Sequence, residues 1–221
     1  KIVYTCESKY IVESKSIKLY FNSFNMTKLG ESSEVVRDNI GQMASKDLSE
    51  LLDMVVQVKV HSNKRALSDT SIFTAKDEWM HSENCTPSYI TLEDEYPVDD
   101  IKFSVYTETP ELLEEIEDAP CKKVYYHSAL LKSNCRVTSQ PDWGDVYIYM
   151  KGMNTVDPIS LLQYIVSFRD ECHFHEEICE AIYKRLMDTI NPDELCVMCL
   201  YARRGGIDIN PERASHEKLL H

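Results

Sequence analysis

The pattern that most constrains the fold lies in the C-terminal half. Val146, Ile148 and Met150 alternate with Tyr147, Tyr149 and Lys151, the period of a strand with one buried face. Pro158 then opens a run in which Leu161, Leu162, Ile165 and Phe168 recur at helical spacing. A second helical run, 175–190, sets Ile178, Ile182 and Leu186 inward. Lys122–His127, followed by Ser128–Cys135, and Leu195–Ala202 read as further strands. Strands at both ends with helices between them make an α+β arrangement, in which the helices bury their apolar stripes on a sheet.

The N-terminal half repeats that order. After a strand-like start, Ile17, Tyr20, Phe21 and Phe24 predict a helix with Ser14 or Ser16 as its N-cap. Such a helix end, with Ser and Lys beside it, either receives an anion or is an ordinary capped helix. Ser32 or Ser33 caps a second helix carrying Val36, Ile40, Met43 and Ala44, then Leu48, Leu51 and Leu52. Val56, Val58 and Val60 predict a strand, 61–91 a loop or short hairpin, and Ile101, Phe103 and Val105 another strand. The acidic run Glu111–Glu117 is a short helix or solvated linker. The expected division is a first module at 1–118 and a second at 119–221.

Charge narrows the partners. Acidic residues outnumber basic ones by 37 to 24, for a net charge of −13. That opposes direct binding of a nucleic acid, which needs a basic face, though a local pocket for one small phosphate ligand stays open. No apolar run approaches membrane-spanning length and no secretory leader is read, so a cytoplasmic protein without a membrane partner is expected. Its eight irregularly spaced cysteines are then expected to be reduced.

The stretch Lys132-Ser-Asn-Cys-Arg-Val-Thr-Ser-Gln-Pro-Asp-Trp-Gly144 carries the chemistry. It sets a thiol, Cys135, seven residues before an acid, Asp142, itself expected in a Pro-Asp-Trp-Gly turn. A thiolate adds to electrophilic carbon when cations or helix ends stabilise it, and Lys132 and Arg136 are the local cations. The plain alternative is a structural cysteine. His173-Phe-His-Glu-Glu177 opens a helix, where Glu176 and Glu177 either cap it or grip the N–H edge of a nucleobase-like ring beside a proton-carrying histidine. Arg203-Arg-Gly-Gly206 suits a phosphate or a charged turn. Cys196-Val-Met-Cys199, with Cys172, His173, His175 and Cys179, invites a zinc reading. On a strand, however, residues i and i+3 face opposite ways, so no metal site is expected.

Taken together, Glu13-Ser-Lys-Ser-Ile-Lys-Leu-Tyr20, Leu131-Lys-Ser-Asn-Cys135, Gln140-Pro-Asp-Trp-Gly144, Val166-Ser-Phe-Arg169, Phe174-His-Glu176 and Arg203-Arg-Gly-Gly-Ile-Asp-Ile-Asn-Pro211 resemble the NADPH-dependent 7-cyano-7-deazaguanine reductases, the QueF family. The cysteine follows the Glu-Ser-Lys-Ser run by more than a hundred residues, which looks like the two-domain branch. The resemblance implies a tunnelling fold of two tandem modules, each an antiparallel four-stranded sheet with helices packed on one face. It implies Cys135 as the nucleophile that forms a thioimide with the nitrile, Asp142 as proton donor, and His175 as its aid. Val12, Glu13, Ser14, His175 and Glu176 would bind the free base. Ser14, Lys15, Arg204 and Gly205 would meet NADPH. The product, 7-aminomethyl-7-deazaguanine, is a queuosine precursor for tRNA.

A homodimer or higher homo-oligomer is the assembly implied. Twelve residues precede Glu13, where two-domain members carry a longer segment with a hairpin, so the first module is expected to be truncated or reduced. His173 also stands where an acidic residue is expected. The competing functions are a related amidinotransferase, which uses the same adduct with ammonia, and a non-catalytic binding protein of the same fold.

Overall fold

A computed structural model describes residues 1–60, 89–117, 121–202 and 209–220. The chain divides into two compact units, Lys1–Thr74 and Ala75–His221. Among the described residues no helix is long and apolar enough to cross a membrane.

In the first unit, β1 (Ile2–Val3) pairs antiparallel with β2 (Gln57–Val58), and α1 (Ser14–Asn22) and α2 (Ser33–Leu52) lie between them in sequence. Ser32 caps α2 by accepting the Val35 N–H at 3.3 Å, one of the two serines expected there. Asp53, at φ 52°, ends it in the left-handed conformation. Leu48, Leu52 and Val56 then bury against Ile2, Tyr4, Val12, Ile17, Met54 and Val58. Each such side chain contributes about 1.5–3 kcal/mol on full burial. The helix also fixes the returning chain: Ser45 and Ser49 accept the N–H groups of Val58 and Val56, each at 2.9 Å. The expected strand through Val60 is thus only two residues long. The described residues of this unit hold two strands, where four were expected.

The second unit is built on a sheet. Its elements are β3 (Ile90–Thr91), α3 (Leu92–Glu95), β4 (Glu115–Ile116), β5 (Cys121–Cys135), β6 (Pro141–Gly152), β7 (Thr155–Val156), α4 (Pro158–Ser167), β8 (Cys172–His173), α5 (His175–Ile190), β9 (Glu194–Tyr201) and β10 (Glu212–Ala214). The order is β10-β9-β6-β5-β3. Each neighbouring pair among β10, β9, β6 and β5 is antiparallel, while β3 and β8 add to β5 in parallel. β4 pairs separately with β7. Asp157 caps α4 through the Ser160 N–H at 2.8 Å, with Pro158 in its first turn. Leu161, Leu162 and Ile165 of α4 and Ile178, Ile182 and Leu186 of α5 bury against Val146, Ile148, Met150, Leu195 and Val197, so both helices cover one sheet face. On the other face Tyr149 and Cys196 meet Ala214 and Leu219.

Three expectations change. Residues 101–105 are not a strand: Ile101 and Phe103 pack on the core from an extended segment, so their alternation records burial without a partner strand. The acidic run begins with a short helix, as one of the two expected readings had it, but goes on into a strand. It forms a 3₁₀ turn (Pro110–Leu112) and β4, with Leu113 buried and the Glu114 N–H donating to Ser160 Oγ at 3.0 Å. The expected division after 118 also differs from the compact units, because β3 pairs with β5 and Leu92 and Leu113 join the second unit's core. Most of 61–91 lies outside the described residues.

Candidate active site

A β-bulge decides which way Cys135 faces. Along β6 the even-numbered residues Val146, Ile148 and Met150 point to the helices. β5 begins in the same phase, with Tyr126 in that core. Ser128 pairs with Val146 but Leu131 pairs with Gly144, so β5 takes three steps while β6 takes two. The slip turns Leu131, Ser133 and Cys135 onto the helix face that Asp142 and Gly144 share. Ser133 sits opposite Asp142, and Cys135 lies diagonal to that acid on the same face. Both are buried, at 4% exposure for Cys135 and 6% for Asp142.

The expected Pro-Asp-Trp-Gly turn is therefore strand. The turn comes earlier, where the Ser139 N–H donates to Cys135 O and the Cys135 N–H to Gln140 O, each at 2.8 Å. Ser139 supports it at φ 53°. Proline is compatible with Pro141 because the first residue of a strand tolerates a missing N–H.

The two local cations are engaged in other contacts. Lys132 Nζ donates to Asn134 Oδ1 at 2.9 Å and to Arg169 O at 2.5 Å, and Asn134 Nδ2 reaches that same carbonyl at 3.1 Å. Arg136 pairs with Glu177 at 3.0 Å and lies 5.1 Å over the Phe174 ring. What the fold brings to Cys135 is a helix start. Cys135 pairs with His173 on β8, and α5 begins two residues later with His175. The N-terminal end of a helix favours negative charge nearby.

His175 Nε2 stands 3.3 Å from Asp142 Oδ2. The imidazole also lies flat on Tyr201, with ring centroids 3.7 Å apart and planes 6° from parallel. Burial raises the Tyr201 hydroxyl well above the ordinary tyrosine range. The capping carboxylate of α5 is Glu177, which accepts the Phe174 N–H at 2.8 Å, while the half-buried Glu176 stands next to His175 outside that cap. The fold thus assembles Cys135, Asp142 and His175 on one sheet face and helix start, with Glu176 adjoining.

The other expected site residues lie elsewhere. Val12, Glu13, Ser14 and Lys15 belong to the first unit. The cap of α1 is Glu13 rather than Ser14 or Ser16: its carboxylate accepts the Lys15 N–H, the Ser16 N–H and the Ser16 hydroxyl, each at 2.8 Å. Desolvation pushes this carboxyl upward, but those bonds outweigh it and hold it below its ordinary value. The Val12 N–H donates to Tyr4 Oη at 3.3 Å. Arg204 and Gly205 lie outside the described residues.

Cys196 and Cys199 face opposite sides of β9, one with Tyr149 and Leu219, the other in the main core. Cys179 instead couples to Cys199, and that hydrogen bond, together with burial, raises its thiol well above the usual range. Among the described residues no three His, Cys, Asp or Glu side chains are grouped to hold a metal ion. Sequence reasoning missed Ser133, Gly144 and Tyr201. Gly144 and Tyr201 become neighbours only through strand register, although Ser133 and Gly144 lay inside the motif already singled out.

Residues 1–60 match the family model described as nitrile reductase, 7-cyano-7-deazaguanine-reductase N-term, and residues 141–219 match that of the QueF-like protein. Curated relatives named NADPH-dependent 7-cyano-7-deazaguanine reductase occur in Colwellia psychrerythraea (38% identical over 96% of this chain and 68% of the relative), Legionella pneumophila strain Lens (40%, 97% and 67%) and Polaromonas naphthalenivorans (36%, 100% and 72%). The chain thus spans roughly two thirds of their length. A solved structure, the archaeosine synthase QueF-Like in the apo form, aligns with a TM-score of 0.37 at 16% identity, over 47% of this chain and 92% of that one. By its matched segments and its relatives, the chain belongs to the NADPH-dependent 7-cyano-7-deazaguanine reductase family.

Proposed function

We propose that this chain reduces the nitrile of 7-cyano-7-deazaguanine to the primary amine, in the supply of queuosine for tRNA, and that the chemistry takes place on Cys135. The observation that carries this reading is the convergence of Cys135, Asp142 and His175 on one face of the sheet. A nitrile is a weak electrophile, so addition needs a thiolate together with a proton for the nitrogen. Cys135 Sγ bonds to the nitrile carbon, and the nitrogen takes a proton delivered by Asp142, with His175 Nε2 beside that carboxyl to replace it. The product of this step is a thioimide. Two hydride deliveries complete the four-electron reduction, with the sulfur leaving between them. Burial of Cys135 and Asp142 keeps water from the intermediate imine.

NADPH, when bound, supplies the hydride. The donors assigned to it fit a nucleotide phosphate in kind, an exposed lysine following a serine in sequence, Lys15 after Ser14. The N–H groups of Lys15 and Ser16 already bind Glu13, so side chains rather than the helix end would hold the phosphate. Arg204 and Gly205 complete the proposed set. Val12, Glu13, Ser14, His175 and Glu176 are the proposed groups for the base. The four antiparallel strands of the second unit, with α4 and α5 on one face, support the tunnelling fold, and we extend that proposal to tandem modules and a homo-oligomer.

Intact mass spectrometry with the nitrile base tests the first step, and NADPH absorbance tests the reduction. The expected result is an adduct on Cys135, lost in Cys135→Ala, and two NADPH oxidised per base. An adduct without NADPH oxidation would favour transfer of ammonia. Binding that survives Cys135→Ala, without an adduct in the unaltered chain, would leave a non-catalytic binding protein.

A further inference from the structure

We infer that Tyr201 is a positioning residue for the His175–Asp142 pair, an inference that rests on the reaction proposed above. An imidazole beside a carboxylate is useful only while one particular nitrogen points at it. Rotation about the Cβ–Cγ bond of His175 would carry Nε2 away from Asp142, from which it now stands 3.3 Å. Tyr201 opposes that rotation. Its ring lies 3.7 Å from the imidazole and within 6° of its plane, so any turn of the imidazole drives an edge into the tyrosine face.

The slab is itself held. Tyr201 is 5% exposed at the end of β9, and its register partner on β6 is Gly144. A Cβ at position 144 would stand 3.1 Å from Tyr201 Cδ1 and 2.9 Å from Leu200 O. The missing side chain at Gly144 therefore leaves the volume into which the ring fits, two residues along the strand from Asp142. Gly144, Tyr201, His175 and Asp142 thus form one run of neighbours that begins and ends on β6. The Tyr201 hydroxyl is buried without a hydrogen-bond partner among the described residues, which assigns the work to the ring and not to the oxygen.

Two substitutions separate ring from hydroxyl. Tyr201→Leu removes the slab, and kcat is expected to fall about tenfold or more with KM within about twofold, a fraction of what general acid–base groups contribute. Tyr201→Phe keeps the slab and is expected to rescue kcat, with a melting temperature equal to or above that of the unaltered protein. NMR of the His175 ring nitrogens gives a readout independent of turnover and little affected by loss of the tyrosine's ring current: their 15N signals, set by the partner of Nε2, persist in Tyr201→Phe and move in Tyr201→Leu. A folded Leu variant with undiminished kcat, or a Phe variant as slow as the Leu variant, overturns the inference. If Tyr201→Leu fails to fold, Gly144→Ala presses on the same ring. It is expected to lower kcat at constant KM, and full activity with the His175 signals displaced overturns the inference. Should the unaltered protein neither form the adduct nor oxidise NADPH, the reaction is refuted. The imidazole signals of the folded variant then still decide: movement supports the positioning role, and no movement overturns it.

Discussion

Neighbouring glutamates at the start of α5 differ in their contacts. Glu177 accepts the Phe174 N–H and pairs with Arg136, so Glu177→Ala is expected to lower stability by about 1 kcal/mol in urea unfolding. Glu176 lies outside that cap. If it grips the base, Glu176→Gln leaves the urea midpoint unchanged and raises KM for the base about tenfold or more, the scale of a hydrogen bond to a charged group. Asp142→Asn keeps the shape but not the proton. Adduct formation, followed by intact mass against time, is expected to slow by about 10²–10⁴. These candidates were partly legible in the sequence, because a thiol, an acid and a histidine declare their chemistry by type, and the structure brings the three together. The cap of α1 was not. Ser14, Ser16 and Glu13 can all accept an N–H, and the choice fell to the residue that the chain holds extended, Glu13 at φ −70° and ψ 128°. Its Oε2 already accepts two hydrogen bonds and its Oε1 one, so a ligand taking both oxygens must displace a donor from the first helical turn.

At the scale of elements, the helices and long strands of the second unit follow their apolar periods closely. Pro158, Leu161, Leu162 and Ile165 read as helix, and Val146, Ile148 and Met150 as strand, because each pattern buries one face. The bulge left no such trace. Ala129 and Leu130 interrupt β5 without a glycine or proline to mark the slip, and the Ala129 N–H instead finds Glu93 Oε1 at 2.5 Å. Its effect can be tested by subtraction. Deleting Ala129 removes the extra residue and leaves Leu131 opposite Gly144, so Cys135 is expected to keep its face and its adduct. Deleting Lys132, beyond the bulge, is expected to turn Cys135 to the opposite sheet face and abolish the adduct by intact mass, while circular dichroism still reports a folded protein. A single glycine inserted after Ser133 in the Lys132-deleted variant is expected to restore part of the adduct. Recovery through the insertion separates facing direction from general damage.

For the molecule as a whole, one carboxylate ties the end of the chain to the sheet. Glu194, on β9, accepts hydrogen bonds from Lys218 at 2.6 Å and from Tyr149 at 2.7 Å, with Lys151 at 3.7 Å. The Lys218 bond foremost, opposed by desolvation and helped by Tyr149 and Lys151, brings its carboxyl from the ordinary 4.5 down to about 2. A depressed folded value means that the stabilisation is fully present above about pH 4.5 and is lost as pH falls towards 2. Because the lysines are exposed, it amounts to about 1 kcal/mol. Glu194→Gln is expected to flatten the acid limb of the thermal-melt profile between those pH values and to lower stability at neutral pH. The slip in β5 also bears on how such chains can diverge. Between Leu131 and Cys135 a lineage can gain or lose residues only in pairs, since an odd change would hide the sulfur from its acid unless a second odd change arose nearby.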